Sequence, residues 1–173
     1  KDTLDAMSSA TPLDYIKTQL TLHQPLSIIK QEKIFGFVGG TGLELINLGY
    51  LAGGLYLLKE KIISWHLPVA FLSTLFITAL IFNAISPDVF PSPLFHIMSG
   101  GSMLCAFFII TDPVSAPTTP RGKIIFGIGI ALLVFIIRIF GGYPEGIAFA
   151  VLLFNICAPL IDSLTQPRIF GHK

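Results

Sequence analysis

The chain has 173 residues, of which 53% are hydrophobic and 12% are charged, and its formal net charge at pH 7 is +1. Soluble domains carry about 25% charged residues, so a composition this poor in charge indicates lipid as the main solvent. The small net charge and the lack of a basic stripe argue against a partner nucleic acid. Because the chain starts with Lys1 and shows no signal-peptide pattern, we expect it to be the C-terminal half of a larger polytopic subunit.

Residues 1–33 are mixed and polar, and they contain the small, hydroxyl-rich run DAMSSAT at 5–11. Thr11, Pro12 and Asp14 predict a helix start, with a threonine N-cap, proline at the first position and an acid in the first turn. A hydroxyl at a helix N-terminus also lies where free amides and the helix dipole favour a phosphate. Thr11 is therefore either a plain cap or the attachment point of a phosphoryl group.

Five long apolar stretches follow, and a bilayer core of ~30 Å needs about 20 helical residues to cross it. They run over about 34–58, 62–85, 94–111, 124–140 and 143–164, joined by turn-forming or charged segments. The sequence therefore predicts an all-α membrane protein with a bundle of about five transmembrane helices over 34–164. The polar segment 1–33 precedes this domain, and a cytoplasmic tail, 165–173, follows it.

Positive residues near the spans predict the orientation of the bundle. One side receives Lys59, Lys61, Arg121, Lys123, Arg168 and Lys173, whereas the loops 86–93 and 141–146 on the other side contain no lysine or arginine. The charged side should be cytoplasmic, which places Thr11 on the opposite, extracytoplasmic side. Lys30, Lys33 and Arg138 run against this pattern.

Glycines within the apolar stretches predict close packing of helices, since small residues let backbones approach in lipid. They are Gly36, Gly40, Gly49, Gly53, Gly54, Gly100, Gly101, Gly127 and Gly129. Proline-rich helix ends and an odd helix number also suit half of an internally repeated, transporter-like fold. Cys105 and Cys157 lack paired spacing and ligand neighbours, so we expect packing residues and no metal site.

Ionisable residues inside a span are costly and often functional. Glu44 follows glycines in the first stretch and is either a hydrogen-bonded interfacial carboxylate or a cation or proton site. Asp112, at the end of the third stretch, either holds a turn through Asx hydrogen bonds or helps to bind an ion or a second flavin.

Asn155 and Asp162 are seven residues apart in the fifth stretch and share one helix face. They are either packing residues or part of an ion pathway. His66 and His96 each stand alone near a helix end, which favours structural roles. Arg138 and Glu145 flank one turn and are expected to pair across it as a structural contact.

The run DAMSSAT resembles the flavinylation motif Asp-Gly-x-(Ser/Thr)-Gly-Ala-Thr, in which a flavin transferase of the ApbE type joins FMN through its phosphate to the threonine. The match covers Asp5, Ser8, Ala10 and Thr11, while Ala6 and Ser9 stand where glycines are usual.

Three longer blocks extend this likeness over nearly the whole chain. MLCAFFIITDPVSA (103–116), GGYPEGIAFAVLLFNICAPLID (141–162) and QPRIFGH (166–172) are similar to signature blocks of the RnfD/NqrB family. The resemblance implies a membrane subunit of a redox-driven ion-translocating oxidoreductase, not catalytic alone, in the bacterial inner membrane. It implies FMN esterified to Thr11 outside the cytoplasm, with Asp5, Ser8, Ser9 and Ala10 as motif residues.

The same resemblance implies electron transfer between NADH and ferredoxin-like carriers, coupled to ion transport. It also implies partners: the other membrane and peripheral subunits of an Rnf (Rsx) complex, and a flavin transferase for maturation. A second, non-covalent flavin is left open. A non-redox solute or ion transporter module, or a structural membrane subunit, would explain the helices and buried acids but not DAMSSAT or the three blocks, and bound flavin separates these alternatives.

Overall fold

The computed structural model describes residues 11–22 and 42–167. Within these ranges the chain is helical and contains no strand, which confirms the all-α prediction. The elements are α1 (Pro12–Thr21), α2 (Leu43–Lys59), α3 (His66–Ile85), α4 (Pro93–Met98), α5 (Ser102–Leu104), a π-helical turn (Cys105–Ile109), α6 (Pro120–Phe140) and α7 (Ile147–Thr165).

Three of these helices are long and apolar enough to cross a membrane. They are α3 with 20 residues, α6 with 21 and α7 with 19, close to the number that a bilayer core requires. Helix α2 has 17 residues, and residues 23–41, with the predicted start of the first stretch and Gly36 and Gly40, lie outside the described residues. The protein is therefore a helical, multi-pass membrane protein, but the predicted count of five spans is not confirmed.

The core lies where α6 packs between α3 and α7. Phe71 and Leu75 of α3 and Phe126, Ile130 and Val134 of α6 are at most 1% exposed. The outer faces carry exposed apolar side chains such as Ile81, Leu152 and Ile156, as expected for helices solvated by lipid.

Glycine packing, predicted from the sequence, is confirmed where α6 meets α3. A Cβ atom on Gly127 would lie 3.0 Å from the Ala70 Cβ and 3.2 Å from the Leu67 carbonyl oxygen. Gly54 serves α2 in the same way, because a Cβ there would overlap the ring of Phe107 in the π-helical turn. Gly49, by contrast, faces open space.

The Gly54→Ala variant should lower stability by about 1–3 kcal/mol, since overpacking forces Phe107 out of its position. Gly49→Ala on the same helix is the matched control, and its stability should stay level or rise, since alanine is the better helix former. The measurement is the unfolding midpoint of both variants in detergent. Equal midpoints would contradict the close contact between α2 and the π-helical turn.

The third apolar stretch is not the continuous helix that the sequence predicts over 94–111. Helix α4 ends at Met98, Ser99 is extended, and Gly100 takes a left-handed conformation with φ +61°. The chain then resumes with α5 and the π-helical turn. Gly100 therefore breaks the helix, because the positive φ is open to glycine at no steric cost. It also permits a close approach, since a Cβ atom there would lie 2.7 Å from the Leu13 Cδ1 of α1 and would overlap the Glu145 carboxylate.

Helix α1 lies at the end of the bundle that carries the loops without lysine or arginine. It contacts the C-terminus of α6 and the 141–146 loop through Lys17. At the other end, Lys61 and Lys123 line one surface pocket, so the 59–65 turn and the start of α6 lie side by side. The loops thus alternate between two ends as the sequence predicts.

Candidate functional site

Thr11 caps α1 as predicted. Its backbone is extended, with φ −65° and ψ 153°, and its Oγ1 accepts a hydrogen bond of 3.3 Å from the Asp14 amide. Pro12 takes the first helical position, and Thr11 is exposed. The motif residues Asp5, Ser8, Ser9 and Ala10 lie outside the described residues. The geometry confirms the helix start, while the flavin attachment stays a prediction.

Apolar contacts fix one face of α1 to the membrane domain. Leu13 and Ile16 are 8% and 4% exposed and form a small cluster with Phe95 of α4. Since these three side chains shed most of their contact with solvent, their burial stabilises the docked position of the helix. The N-terminal turn that carries Thr11 is therefore held against α4.

Lys17 provides the polar anchor of α1. Its Nζ donates to the carbonyl oxygens of Ile137 (3.2 Å), Arg138 (3.3 Å) and Tyr143 (2.7 Å). The first two oxygens belong to the last turn of α6, where the helix dipole favours a cation, and the Ile137 oxygen also accepts from the Gly141 amide at 3.0 Å. Burial lowers the pKa of Lys17, and the nearby Asp14 carboxylate opposes that shift.

We expect Lys17→Met to weaken the docking of α1 by about 1–3 kcal/mol, because hydrogen bonds from a charged group are lost. The measurement is protection of the α1 amides from hydrogen exchange, which should fall. Lys59→Met, at an exposed lysine at the other end of the bundle, should leave that protection unchanged. Unchanged protection in Lys17→Met would mean that the apolar contacts alone hold α1.

Arg138 and Glu145 form the ion pair that the sequence predicts, with the Arg138 side chain buried and the Glu145 side chain partly exposed. Their Nη2 and Oε1 atoms are 2.9 Å apart, and the side chains are 1% and 35% exposed. Arg138 also donates through Nη1 to the His96 carbonyl (2.7 Å) and through Nη2 to the Ser102 hydroxyl (2.9 Å). Glu145 Oε2 accepts from the Gly101 amide at 3.1 Å.

The ion pair thus satisfies the backbone of the broken segment on both sides of Gly100. Asn47 of α2 adds a third bond, from its Nδ2 to the Met98 carbonyl at 2.7 Å. Non-helical backbone at membrane depth is tolerated only where protein groups satisfy it. Sequence reasoning missed the break, although the run SGGS at 99–102 is a turn-like signal.

A cavity of about 340 Å³ lies between α1, the 89–91 loop, α4 and the end of α6. Its wall is mainly apolar, with Leu13, Ile16, Leu20, Phe90, Phe95 and Ile139, and it also includes Lys17, His96 and Arg138. His96 is 1% exposed, and neither of its ring nitrogens has a hydrogen-bond partner among the described residues. Buried polar atoms are normally paired, so the His96 ring is an exception. The sequence does not indicate this exception, because a lone histidine near a helix end favours a structural role.

Asp112 holds a turn, as one of its two predicted roles requires. Its Oδ2 accepts from the Ser115 amide (3.2 Å) and hydroxyl (2.8 Å), and this bonding lowers the pKa of Asp112. Asp112 also borders a cavity of about 300 Å³ that includes Lys123.

Asp162 of α7 accepts hydrogen bonds from the loop that precedes α6. Its Oδ1 accepts from the amides of Thr118 (2.9 Å) and Thr119 (3.3 Å). Asn155 lies earlier in α7 with a buried Oδ1 that has no partner among residues 11–22 and 42–167. Glu44 lies in the first turn of α2.

Two of these four predicted residues contact the same loop. Asp112 and Asp162 both support the loop before α6, whereas Glu44 and Asn155 lie on separate helices. Across the described part of the chain, no group of three His, Cys, Asp or Glu side chains is placed to hold a metal ion.

The fold and the site define a helical, multi-pass membrane protein. Its segment 93–111 is interrupted at Gly100, is held by polar side chains, and packs against helix α1. The model of the NQR2, RnfD, RnfE family matches residues 1–171, and the chain belongs to that family.

Curated relatives are named as the D subunit of an ion-translocating oxidoreductase complex. The protein of that name from Yersinia enterocolitica is 56% identical over 170 residues, covering 98% of this chain and 48% of the relative. The Aeromonas hydrophila protein is 50% identical over 173 residues, covering 100% and 49%. The Aliivibrio salmonicida protein is 51% identical over 170 residues, covering 98% and 48%. The chain spans about half the length of the curated relatives it matches.

Proposed function

We propose that this chain is part of the RnfD-type membrane subunit of an ion-translocating oxidoreductase complex and that Thr11 carries FMN through a phosphoester. The observation that carries the first part is the 56% identity, over 98% of the chain, to a relative with that name. A non-redox transporter or a scaffold could also contain the Arg138–Glu145 pair, whereas the relatives reported above are named as subunits of an ion-translocating oxidoreductase complex.

The described residues fit an FMN on Thr11. The Thr11 side chain is exposed to a modifying enzyme, and it precedes a helix of 10 residues whose first-turn amides and dipole favour a phosphate. The helix is itself fixed to the bundle by Lys17. A flavin, when bound, supplies the electron-transfer chemistry, and the role of the protein is to hold it at one place on the membrane domain.

We extend the proposal to the topology and the surroundings of the subunit. Five membrane-inserted segments would be α2, α3, the broken stretch 93–111, α6 and α7, in the bacterial inner membrane. Thr11 would be periplasmic, because α1 docks at the end whose loops have no lysine or arginine. Lys59, Lys61, Arg121 and Lys123 mark the other end as cytoplasmic.

In the complex, electrons would pass between NADH and ferredoxin-like carriers, coupled to ion transport. Partners would be the other membrane and peripheral subunits, together with a flavin transferase during maturation. Glu44, Asp112, Asn155 and Asp162 remain candidates for separate positions on an ion path or at a second flavin. The cavity of about 300 Å³ beside Asp112 is where a second, non-covalent flavin would be sought.

The test is to express the complete natural protein with and without a flavin transferase and to examine a denaturing gel under ultraviolet light. The proposal predicts a fluorescent band at the mass of the protein that survives denaturation and requires the transferase. A dark band with an active transferase present would leave Thr11 as a helix cap and would favour the transporter or scaffold alternatives.

A further inference from the structure

A surface pocket of about 650 Å³ lies at the end of the bundle opposite to helix α1. It includes Lys61, in the turn after α2, and Lys123, near the start of α6. Two elements far apart in the sequence thus bring their lysines to one place. The apolar walls are formed by Leu58, Ile62, Ile63 and Trp65. This lysine pocket therefore combines positive charge with apolar surface.

The two charges of the lysine pocket are not neutralised by the described part of the chain. There, the ammonium groups of Lys61 and Lys123 have neither an ion pair nor a hydrogen bond. No Asp or Glu is among the described residues that line the pocket. Asp112 borders the adjacent cavity, which Lys123 also lines, but its Oδ2 already accepts twice from Ser115. The pocket therefore offers two cations to an anion from outside the chain.

The backbone of Lys61 has an unusual conformation. Its φ is +57°, and no other non-glycine residue in the described ranges has a positive φ. The Lys61 amide donates to the Leu58 carbonyl oxygen (3.1 Å) and the Ile62 amide to that of Leu57 (3.0 Å), which is the Schellman pattern, where this position is usually glycine. A lysine where glycine would be free of strain indicates a use for its side chain.

The exposed apolar side chains place the lysine pocket at the surface of the bilayer. Trp65 directly precedes α3, which is long enough to cross a membrane, and it is 57% exposed, while Ile62 is 66% exposed. Tryptophan is enriched at the level of the lipid headgroups. Two cations beside exposed apolar groups complement a molecule that has both an anionic group and hydrocarbon, whereas a soluble anion would need the cations alone.

We propose that the lysine pocket binds the headgroup of an anionic phospholipid, with Lys61 and Lys123 at the phosphate and Ile62 and Trp65 against the glycerol and the upper acyl chains. Basic pockets between transmembrane helices bind headgroups of this kind. The bound lipid would bridge the turn after α2 and the start of α6. The inference goes beyond the proposed function, because neither flavin nor electron transfer enters it.

The experiment uses the complete natural protein in detergent and measures, by native mass spectrometry, the fraction that retains one phosphatidylglycerol molecule. Phosphatidylcholine, which has a phosphate but no net charge, is the comparison lipid. Lys61→Asn removes one charge with a residue type that tolerates a positive φ, and Lys123→Gln removes the other. Lys59→Gln is the matched control, since Lys59 is exposed at the same end but does not line the pocket.

We expect the parent protein to retain phosphatidylglycerol in preference to phosphatidylcholine. Lys61→Asn and Lys123→Gln should each weaken this retention about fivefold, the contribution of one basic residue near an anionic membrane surface. Lys59→Gln should match the parent. Unfolding midpoints without added lipid should stay level in all variants, which separates lost binding from a lost fold.

Three results would overturn the lipid site. The first is equal retention in the parent and in the double variant of Lys61 and Lys123, and loss of co-purifying subunits in that case would assign the lysines to an acidic protein partner. The second is an equal fall in Lys59→Gln, which would show a general effect of surface charge. The third is displacement of the lipid by an equal concentration of inorganic phosphate, which would indicate a site for a soluble anion.

Discussion

Thr11→Val should abolish covalent flavin in this protein while leaving its insertion into the membrane intact. Valine has nearly the shape of threonine but lacks the hydroxyl that the phosphoester requires. The loss of the cap bond to Asp14 costs about 0.5–2 kcal/mol of helix stability. Helix α1 should nevertheless stay docked, because Leu13, Ile16 and Lys17 still contact the bundle.

The measurement is in-gel flavin fluorescence after expression with an active transferase, normalised to protein in the membrane fraction. Thr11→Ser should retain part of the signal, since a hydroxyl remains at the same position. Thr18→Val is the matched control, because it removes another exposed threonine hydroxyl of α1, which bonds to the Asp14 carbonyl at 2.9 Å. A Thr11→Val protein that stays fluorescent would place the flavin elsewhere.

Local sequence signals gave reliable predictions where the interaction itself is local. Thr11, Pro12 and Asp14 form a cap within one helical turn, and the structure has that cap. Asp112 and Ser115 form a turn in the same way. These features depend on neighbours three residues apart, so residue type and spacing are enough to predict them.

Two helices begin four residues away from where apolar composition places them. The fourth stretch was expected to begin at about 124, but α6 begins at Pro120, where Thr119 Oγ1 accepts from the Gly122 amide at 3.0 Å. The fifth was expected from 143, but α7 begins at Ile147, after a turn that presents Glu145 to Arg138. Hydropathy indicates the apolar part of a span, and the Thr119 cap marks the start of α6, whereas α7 begins after Gly146 without a side-chain cap.

The residues of the third segment include a turn-like run, SGGS at 99–102, but they do not by themselves decide between a break and a continuous helix. The backbone groups of this segment are satisfied by side chains far along the chain: Arg138 bonds to the His96 carbonyl, and Glu145 accepts from the Gly101 amide. An apolar run with two glycines is equally compatible with a packed, continuous helix. The ring nitrogens of His96 lack partners because of how the interior packs, and residue type and spacing do not predict this.

Because Arg138 and Glu145 hold the broken segment from far along the chain, substitutions of these two residues should have the second large effect. Removal of one partner of a buried ion pair costs about 3–5 kcal/mol, because an uncompensated charge stays buried. Glu145→Gln should be the more damaging change, since it leaves the Arg138 guanidinium, whose side chain is 1% exposed, without its counter-charge. Arg138→Met should cost less, because the Glu145 side chain left behind is 35% exposed and can be solvated, and the His96 carbonyl still accepts from the Ser102 hydroxyl at 2.7 Å.

The measurement is a double-mutant cycle on unfolding midpoints in detergent, with Arg138→Met, Glu145→Gln and the double variant. Because the two groups are in contact, the double variant should be more stable than the sum of the single losses predicts. Arg121→Met, which removes an exposed arginine at the other end of α6, should stay within about 0.5 kcal/mol of the parent, as surface changes usually do.

The same variants also report on the broken segment itself. If the ion pair holds the break in place, then both single variants should lower the protection from hydrogen exchange of the Gly101 amide, which donates to Glu145 Oε2 at 3.1 Å. Additive losses in the cycle would show that the two side chains act independently, and the break would then depend on Gly100 and Asn47 rather than on the ion pair.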